Sequence, residues 1–175
     1  MSETTIPAST APSPPRRREV AWEDPLPALA AAPGLTGLEL IREVIAGRLP
    51  APPIGALMNL GIVAADEGTV TFTCATDPSM LNPLGSLHGG VACTLLDSVI
   101  GCAVHTTLPA GVGYTSIDIT VSYLRSPAIG SELTAIGRVT KPGRRVAFGE
   151  GEVRDADGRL IATATGSCLI IDGRA

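Results

Sequence analysis

The sequence predicts an α+β domain in which one long buried helix lies against one curled antiparallel sheet. Three observations carry that expectation. Residues 88–107 repeat apolar side chains at helical spacing around most of the circumference, two short alternating runs precede them, and four longer runs of period two follow. The links between the strands are short and rich in turn formers, which favours antiparallel neighbours because a parallel crossover needs roughly a dozen residues or more. A helix and a sheet of this kind bury their apolar faces on each other.

Taken in chain order, residues 1–20 (MSETTIPASTAPSPPRRREV) are dominated by Pro, Ser, Thr and Ala. They bury too little apolar surface to offset chain entropy, so a structureless tail and linker are expected over residues 1–33. Arg16, Arg17 and Arg18 in that tail read either as a solvated cluster or as a contact for an acidic partner. Thr36 and Glu39 have the capping-box spacing, and Leu38, Leu40, Ile41, Val44 and Ile45 form an apolar stripe. A short amphipathic helix should therefore begin there and end at Gly47 and the prolines at 50, 52 and 53, so that residues 34–53 form a helix and link before a main domain at 54–172.

Residues 60–66 and 69–75 flank Glu67 and Gly68 and predict a hairpin; in the second run Val70, Phe72 and Cys74 alternate with three threonines. From His88, the side chains of Val91, Ala92, Leu95, Leu96, Val99, Ile100, Ala103 and Val104 encircle a helix that should be largely buried. Its span of roughly 30 Å matches a strand of about nine residues, so it can lie along a sheet. Period two returns at 114–124, 132–140, 144–154 and 159–171, separated by turns containing Pro127 and Gly130, Pro142, and the DADG run at 155–158.

The 175 residues suit one domain, with 45% apolar and 17% charged residues. A net charge of −4 and five aromatics speak against a nucleic-acid partner, which needs a basic surface and stacking side chains. Cys74, Cys93, Cys102 and Cys168 lack CxxC spacing and sit in apolar runs, as structural thiols of a reducing compartment do. With no apolar run of 18 residues and no signal-type leader, a soluble cytoplasmic protein with no membrane partner is expected. Two histidines 17 residues apart and scattered cysteines offer no metal site.

Chemistry concentrates in NPLGSLHGGVACTLLDSVIGCAV, residues 82–104. Asp97 is the one ionisable side chain in that helix interior, and at three and four residues it is flanked by Gly90, Cys93, Thr94, Ile100 and Gly101. Burying a lone carboxylate is costly, so Asp97 is either a reactive group or one paired to fix packing or a subunit contact. Free N–H groups at Gly89 and Gly90, with the positive end of the helix dipole, can hold developing negative charge; the glycines can equally serve close packing. Asn82 can polarise a carbonyl or form an Asx turn, and His88 can act as a base or position the helix start, the latter being preferred.

The set Asn82, Gly85, His88, Gly89, Gly90 and Asp97, with the strand YTSIDITVSYLRSPAIG and the final ADGRLIATATGSCLII, resembles the hotdog-fold PaaI-like acyl-CoA thioesterases over residues 55–171. That resemblance implies a six-stranded sheet around a central helix, a homodimer with active sites between subunits, and two dimers joined as a tetramer. It implies that Asp97 of one protomer activates water or attacks the thioester, while Asn82 and Gly89 come from the other and the Gly89 N–H binds the carbonyl oxygen. Gly85 and Gly90 would line the substrate. A hydroxyl that helps hold the water is matched best by Ser116 and next by Thr115. Because CoA carries phosphates, Arg125, Arg144 and Arg145 are candidate substrate cations or else solvated turn charges. No cofactor is expected, CoA being part of the substrate. Two other activities suit such a domain: acyl-thioester hydration or dehydration, and non-catalytic acyl-CoA binding with Asp97 as an interface residue.

Overall fold

The computed structural model describes residues 15–172. Its six strands are β1 (Leu60–Asp66), β2 (Thr69–Ala75), β3 (Val112–Tyr123), β4 (Glu132–Lys141), β5 (Val146–Asp155) and β6 (Leu160–Asp172). They form one antiparallel sheet in the order β1-β2-β4-β5-β6-β3. The helices are α1 (Leu26–Ala31), α2 (Gly37–Ile45), α3 (Pro53–Met58) and the central α4 (Gly89–His105). Among the described residues no helix is long and apolar enough to cross a membrane.

The core lies between α4 and the sheet. Leu95, Leu96 and Val99 of α4 are fully buried, facing Val70 of β2, Leu133 and Ala135 of β4 and Val153 of β5. Each such side chain contributes about 1.5–3 kcal/mol by leaving water. The helix sits close to the strands because Gly137 of β4 has no side chain: a Cβ there would stand 2.2 Å from the Val99 carbonyl oxygen. That contact fixes which face of α4 looks inward and leaves Asp97 on the opposite side.

The hairpin β1–β2 and the central helix occupy the places expected from the pattern, and Gly68 takes φ +74° in the hairpin turn. The capping box of α2 forms as expected, the Glu39 N–H donating to Thr36 Oγ1 while the Glu39 carboxylate accepts from the Thr36 N–H. One expected neighbour relation is corrected. Strands β3 and β4, although consecutive, do not pair; β3 crosses to the far edge beside β6, and β4 inserts between β2 and β5. Period two shows that each is a strand but does not say which strand adjoins it, and the link ends tied to β2, where Gly130 N–H donates to Thr76 Oγ1 at 3.0 Å.

A second correction concerns the expected tail. Residues 1–14 lie outside the described residues, but 26–31 form α1 and 32–34 a 3-10 turn, and α3 adds a turn of helix in the Pro-rich link. Proline opens each of these short elements, a position at which its missing N–H costs nothing.

Candidate active site

The loop before α4 is organised by Asn82. Its Oδ1 accepts from the N–H groups of Leu84 and Ser86 at 2.9 and 3.1 Å, and its Nδ2 donates to Ser86 Oγ at 2.8 Å. The Gly85 N–H returns to the Asn82 carbonyl at 3.0 Å, with Gly85 at φ +78°. Of the two roles the sequence left open for Asn82, the Asx-type loop bonds are the ones formed within the chain.

His88 caps α4: its Nδ1 accepts from the Gly90 N–H at 2.9 Å, the positioning role preferred from sequence. Gly90 is therefore engaged, whereas the Gly89 N–H has no hydrogen-bond partner among the described residues. Tyr123 of β3 covers this turn, since a Cβ on Gly89 would be 3.2 Å from its ring. The helix start thus presents one free donor between a cap and an aromatic wall.

Two turns further on, Asp97 is exposed within the single chain, which corrects the expected burial. The stripe Gly90, Cys93, Thr94, Asp97 and Ser98 lies off the buried face of α4, with the β3 edge beside Asp97, and none of it is fully buried. Thr94 and Ser98 turn their hydroxyls back to the carbonyls of Gly90 and Thr94, at 2.9 and 2.8 Å. Asp97 is left as the ionisable group of the stripe, and Ser116 Oγ donates to its Oδ1 at 2.8 Å.

A β-bulge selects Ser116 over Thr115. Register in the β3–β6 pair shifts between Ser116 and Asp118. Tyr114 and Ser116 face α4 before the bulge, and Ile119 and Val121 face the core after it, so the inward phase changes at Ile117. Tyr114 and Ser116 meet α4 at Gly101 and Asp97, one helical turn apart.

The candidate arginines separate. Arg125 lines a cleft of about 350 Å³ with His88, Gly89 and Tyr123. Arg144 lines a different cleft with Thr107 and Pro142, beyond the C-terminal end of α4, and Arg145 is exposed beside it. Arg18, read as tail, is instead held by Asp77 at 3.2 Å and Asn59 Oδ1 at 2.6 Å, and borders a cleft with His88, Gly90 and Thr94. Arg18 stood out in the sequence only as part of a charge run and Tyr123 not at all, because each acts through a partner distant in the chain. Burial pushes the Cys102 thiol up to about 11, a hydrogen bond to Tyr114 works against the rise, and the Asp97 charge adds to it. All four cysteines are free.

A long central helix wrapped by a six-stranded antiparallel sheet in this order defines a hotdog domain. Residues 84–162 match the model of the thioesterase superfamily. The chain is 28% identical to human acyl-coenzyme A thioesterase 13 over 124 residues, 70% of this chain and 88% of that protein. It is 26% identical to the Escherichia coli acyl-coenzyme A thioesterase PaaI over 116 residues, covering 66% and 81%. Among solved structures, a phenylacetic acid degradation-related protein from Ralstonia eutropha aligns with TM-score 0.68 and 30% identity, over 74% of this chain and 98% of that one. A Streptococcus mutans protein solved bound to acetyl CoA aligns with TM-score 0.61 and 26% identity, over 67% and 92%. The chain belongs to the thioesterase superfamily, in its PaaI-like hotdog group, and is a thioester hydrolase.

Proposed function

We propose that the protein hydrolyses acyl-CoA thioesters to a carboxylic acid and free CoA, at sites shared between two copies of the chain. The Ser116–Asp97 hydrogen bond on the open face of α4 carries the proposal, because it aims one carboxylate oxygen and leaves the other free. Asp97 either takes a proton from water as it attacks the thioester carbonyl, or attacks that carbonyl itself to give, once CoA leaves, a mixed anhydride that water then hydrolyses to the acid and free Asp97. The Gly89 N–H donates to the oxygen on which negative charge develops, and collapse of the tetrahedral species expels CoA thiolate, which is then protonated. The reaction so written uses water and these side chains, with CoA as part of the substrate.

The two groups belong to different copies. Gly89 and Asp97 lie eight residues apart, about 12 Å along one helix, too far to meet over one carbonyl. The sheet also has one unprotected edge: β1 is flanked by α2 and α3, whereas β3 is a 12-residue edge strand with Ile117 and Tyr123, and Leu124 just beyond it, more than half exposed. A strand of that kind pairs with another, and a two-fold pairing of β3 strands presents the open face of one α4 to the other. Two such dimers would form the tetramer. Of the three arginines we assign Arg125, which shares a cleft with Gly89, to the CoA phosphates. The acyl-CoA assignment draws on the human and Escherichia coli relatives, both acyl-coenzyme A thioesterases, and on the acetyl CoA bound by the Streptococcus mutans protein. Four free thiols suit a reducing compartment, and we assign the enzyme to the cytoplasm. Thiol release from a panel of short, medium and aromatic acyl-CoAs tests the proposal; a purified protein that releases CoA from none of them excludes it.

A further inference from the structure

An apolar cavity lies between the N-terminal helices and the C-terminal half of α4. It measures about 490 Å³, within the roughly 300–1,000 Å³ typical of small-molecule sites. Ala28 and Ala32 of the α1 segment and Val44 of α2 form one wall, and Cys102, His105 and Tyr114 form the other. The walls are joined where the Gly37 N–H, at the start of α2, donates to the Leu108 carbonyl beyond the end of α4 at 3.1 Å. The cavity is therefore made by the N-terminal segment folding over the C-terminal half of the central helix.

Its position relative to Asp97 follows from the β3–α4 contacts. Tyr114 lies on Gly101 as Ser116 lies on Asp97, so the cavity wall at Tyr114 begins one helical turn, about 6 Å, from the carboxylate. With CoA assigned above to the helix start of the partner subunit and its arginine, the direction along α4 toward this cavity is left for the acyl group.

We infer that the cavity receives the acyl group, and that the N-terminal helices make the protein select apolar acyl groups larger than acetyl. The inference rests on the hydrolytic reading above for the position of the carbonyl. An acetyl methyl cannot reach past Tyr114, while each further methylene that enters gains roughly fourfold in binding from its removal from water. His105 and Tyr114, whose ring centroids are 5.4 Å apart, form the polar part of a wall that is otherwise mostly aliphatic.

The test is the ratio of kcat/KM for octanoyl-CoA to that for acetyl-CoA, measured on the full chain and on Val44→Phe and Ala28→Phe, which fill the cavity from two sides. The wild type should favour octanoyl-CoA by about tenfold or more, and each folded variant should lower that ratio by about tenfold. Val44→Phe touches a packed helix, so thermal melts accompany the kinetics; if it fails to fold, Ala28→Phe in α1, which has no buried residue, decides alone. A wild-type preference for acetyl-CoA, or a ratio that stays within about threefold in every folded variant, overturns the inference. Failure of the hydrolytic reading has a different signature, since no thioester then releases thiol in any variant. In that event a methyl NMR titration with octanoyl-CoA reads the cavity directly: shifts centred on Ala28 and Val44 uphold it, and shifts elsewhere overturn it.

Discussion

Replacing Asp97 by Asn isolates the charge from the shape of the site. The amide keeps an oxygen where Oδ1 now accepts from Ser116 Oγ at 2.8 Å, so the side chain stays aimed. What it loses is the ability to take a proton from water or to form an acyl adduct. Removal of such a group lowers kcat by roughly 10²–10⁴, about 3–5.5 kcal/mol of barrier. Asp97 is exposed and holds no core contact, so stability should change by no more than about 0.5 kcal/mol. KM should shift little, because the group acts on the reacting carbonyl rather than on CoA. Steady-state thiol release, with a urea melt of the same preparation, separates the two quantities. Ser116→Ala should act in the same direction but less, about tenfold, since it removes one hydrogen bond to a carboxylate and leaves the carboxylate in place. Asp97→Ala guards against slow deamidation of the Asn variant and should match it. A folded Asp97→Asn enzyme with kcat within about threefold of wild type would falsify the assignment of Asp97 to the chemistry.

Gly89→Pro removes the proposed oxyanion donor at a helix start where Pro is tolerated, after His88 at ψ 131° as Pro requires, and adds a Cβ 3.2 Å from the Tyr123 ring, so Gly89→Ala, which adds the Cβ and keeps the N–H, is measured beside it. We expect kcat to fall by about 10²–10³ with helix content retained by circular dichroism, and an unimpaired kcat removes Gly89 from the mechanism. Refolding Asp97→Ala together with Gly89→Pro should restore about a quarter of wild-type activity, because half the dimers are mixed and each has one intact site; no recovery means each site lies within one chain. Gly137→Ala drives a methyl against the Val99 carbonyl and should cost about 3 kcal/mol or more in urea unfolding, whereas a cost under about 1 kcal/mol would mean that α4 can move off the sheet. Burial holds the His105 imidazole below its ordinary value of 6.5, so NMR should place its midpoint lower. As pH falls through 6.5 the unfolded chain binds this proton first, so stability drops there and levels off below the folded midpoint; His105→Gln should remove the drop.

The parts legible in the sequence were those set by short-range pattern. Alternation at 69–75 and helical spacing at 91–104 specify β2 and α4 because each residue's direction follows from its immediate neighbours. The parts that were not legible depend on distant partners: β3 choosing β6, Arg18 reaching Asp77, and Tyr123 covering Gly89. The bulge at Ile117 belongs with them, because an inserted residue shifts the phase of a strand without changing its composition, and only the helix contact distinguishes Ser116 from Thr115.

Asp97 differs from these, because its surroundings in the sequence call for burial and the single chain leaves it open. Small and apolar neighbours at 90, 93, 100 and 101 are what a helix carries where another backbone comes near, and sheet contacts account for the stripe only at its margin. The bare β3 edge lies beside the same stripe. The proposed pairing would relieve both mismatches in one event, the approach of a second α4 and a second β3, which would also carry Gly89 of the partner subunit toward Asp97. A hydrolase assembled in this way makes its carboxylate competent only when the pair forms. Dilution below the dimerisation constant should therefore abolish turnover and expose the β3 edge together, and a concentration at which one persists without the other would separate the active site from the interface.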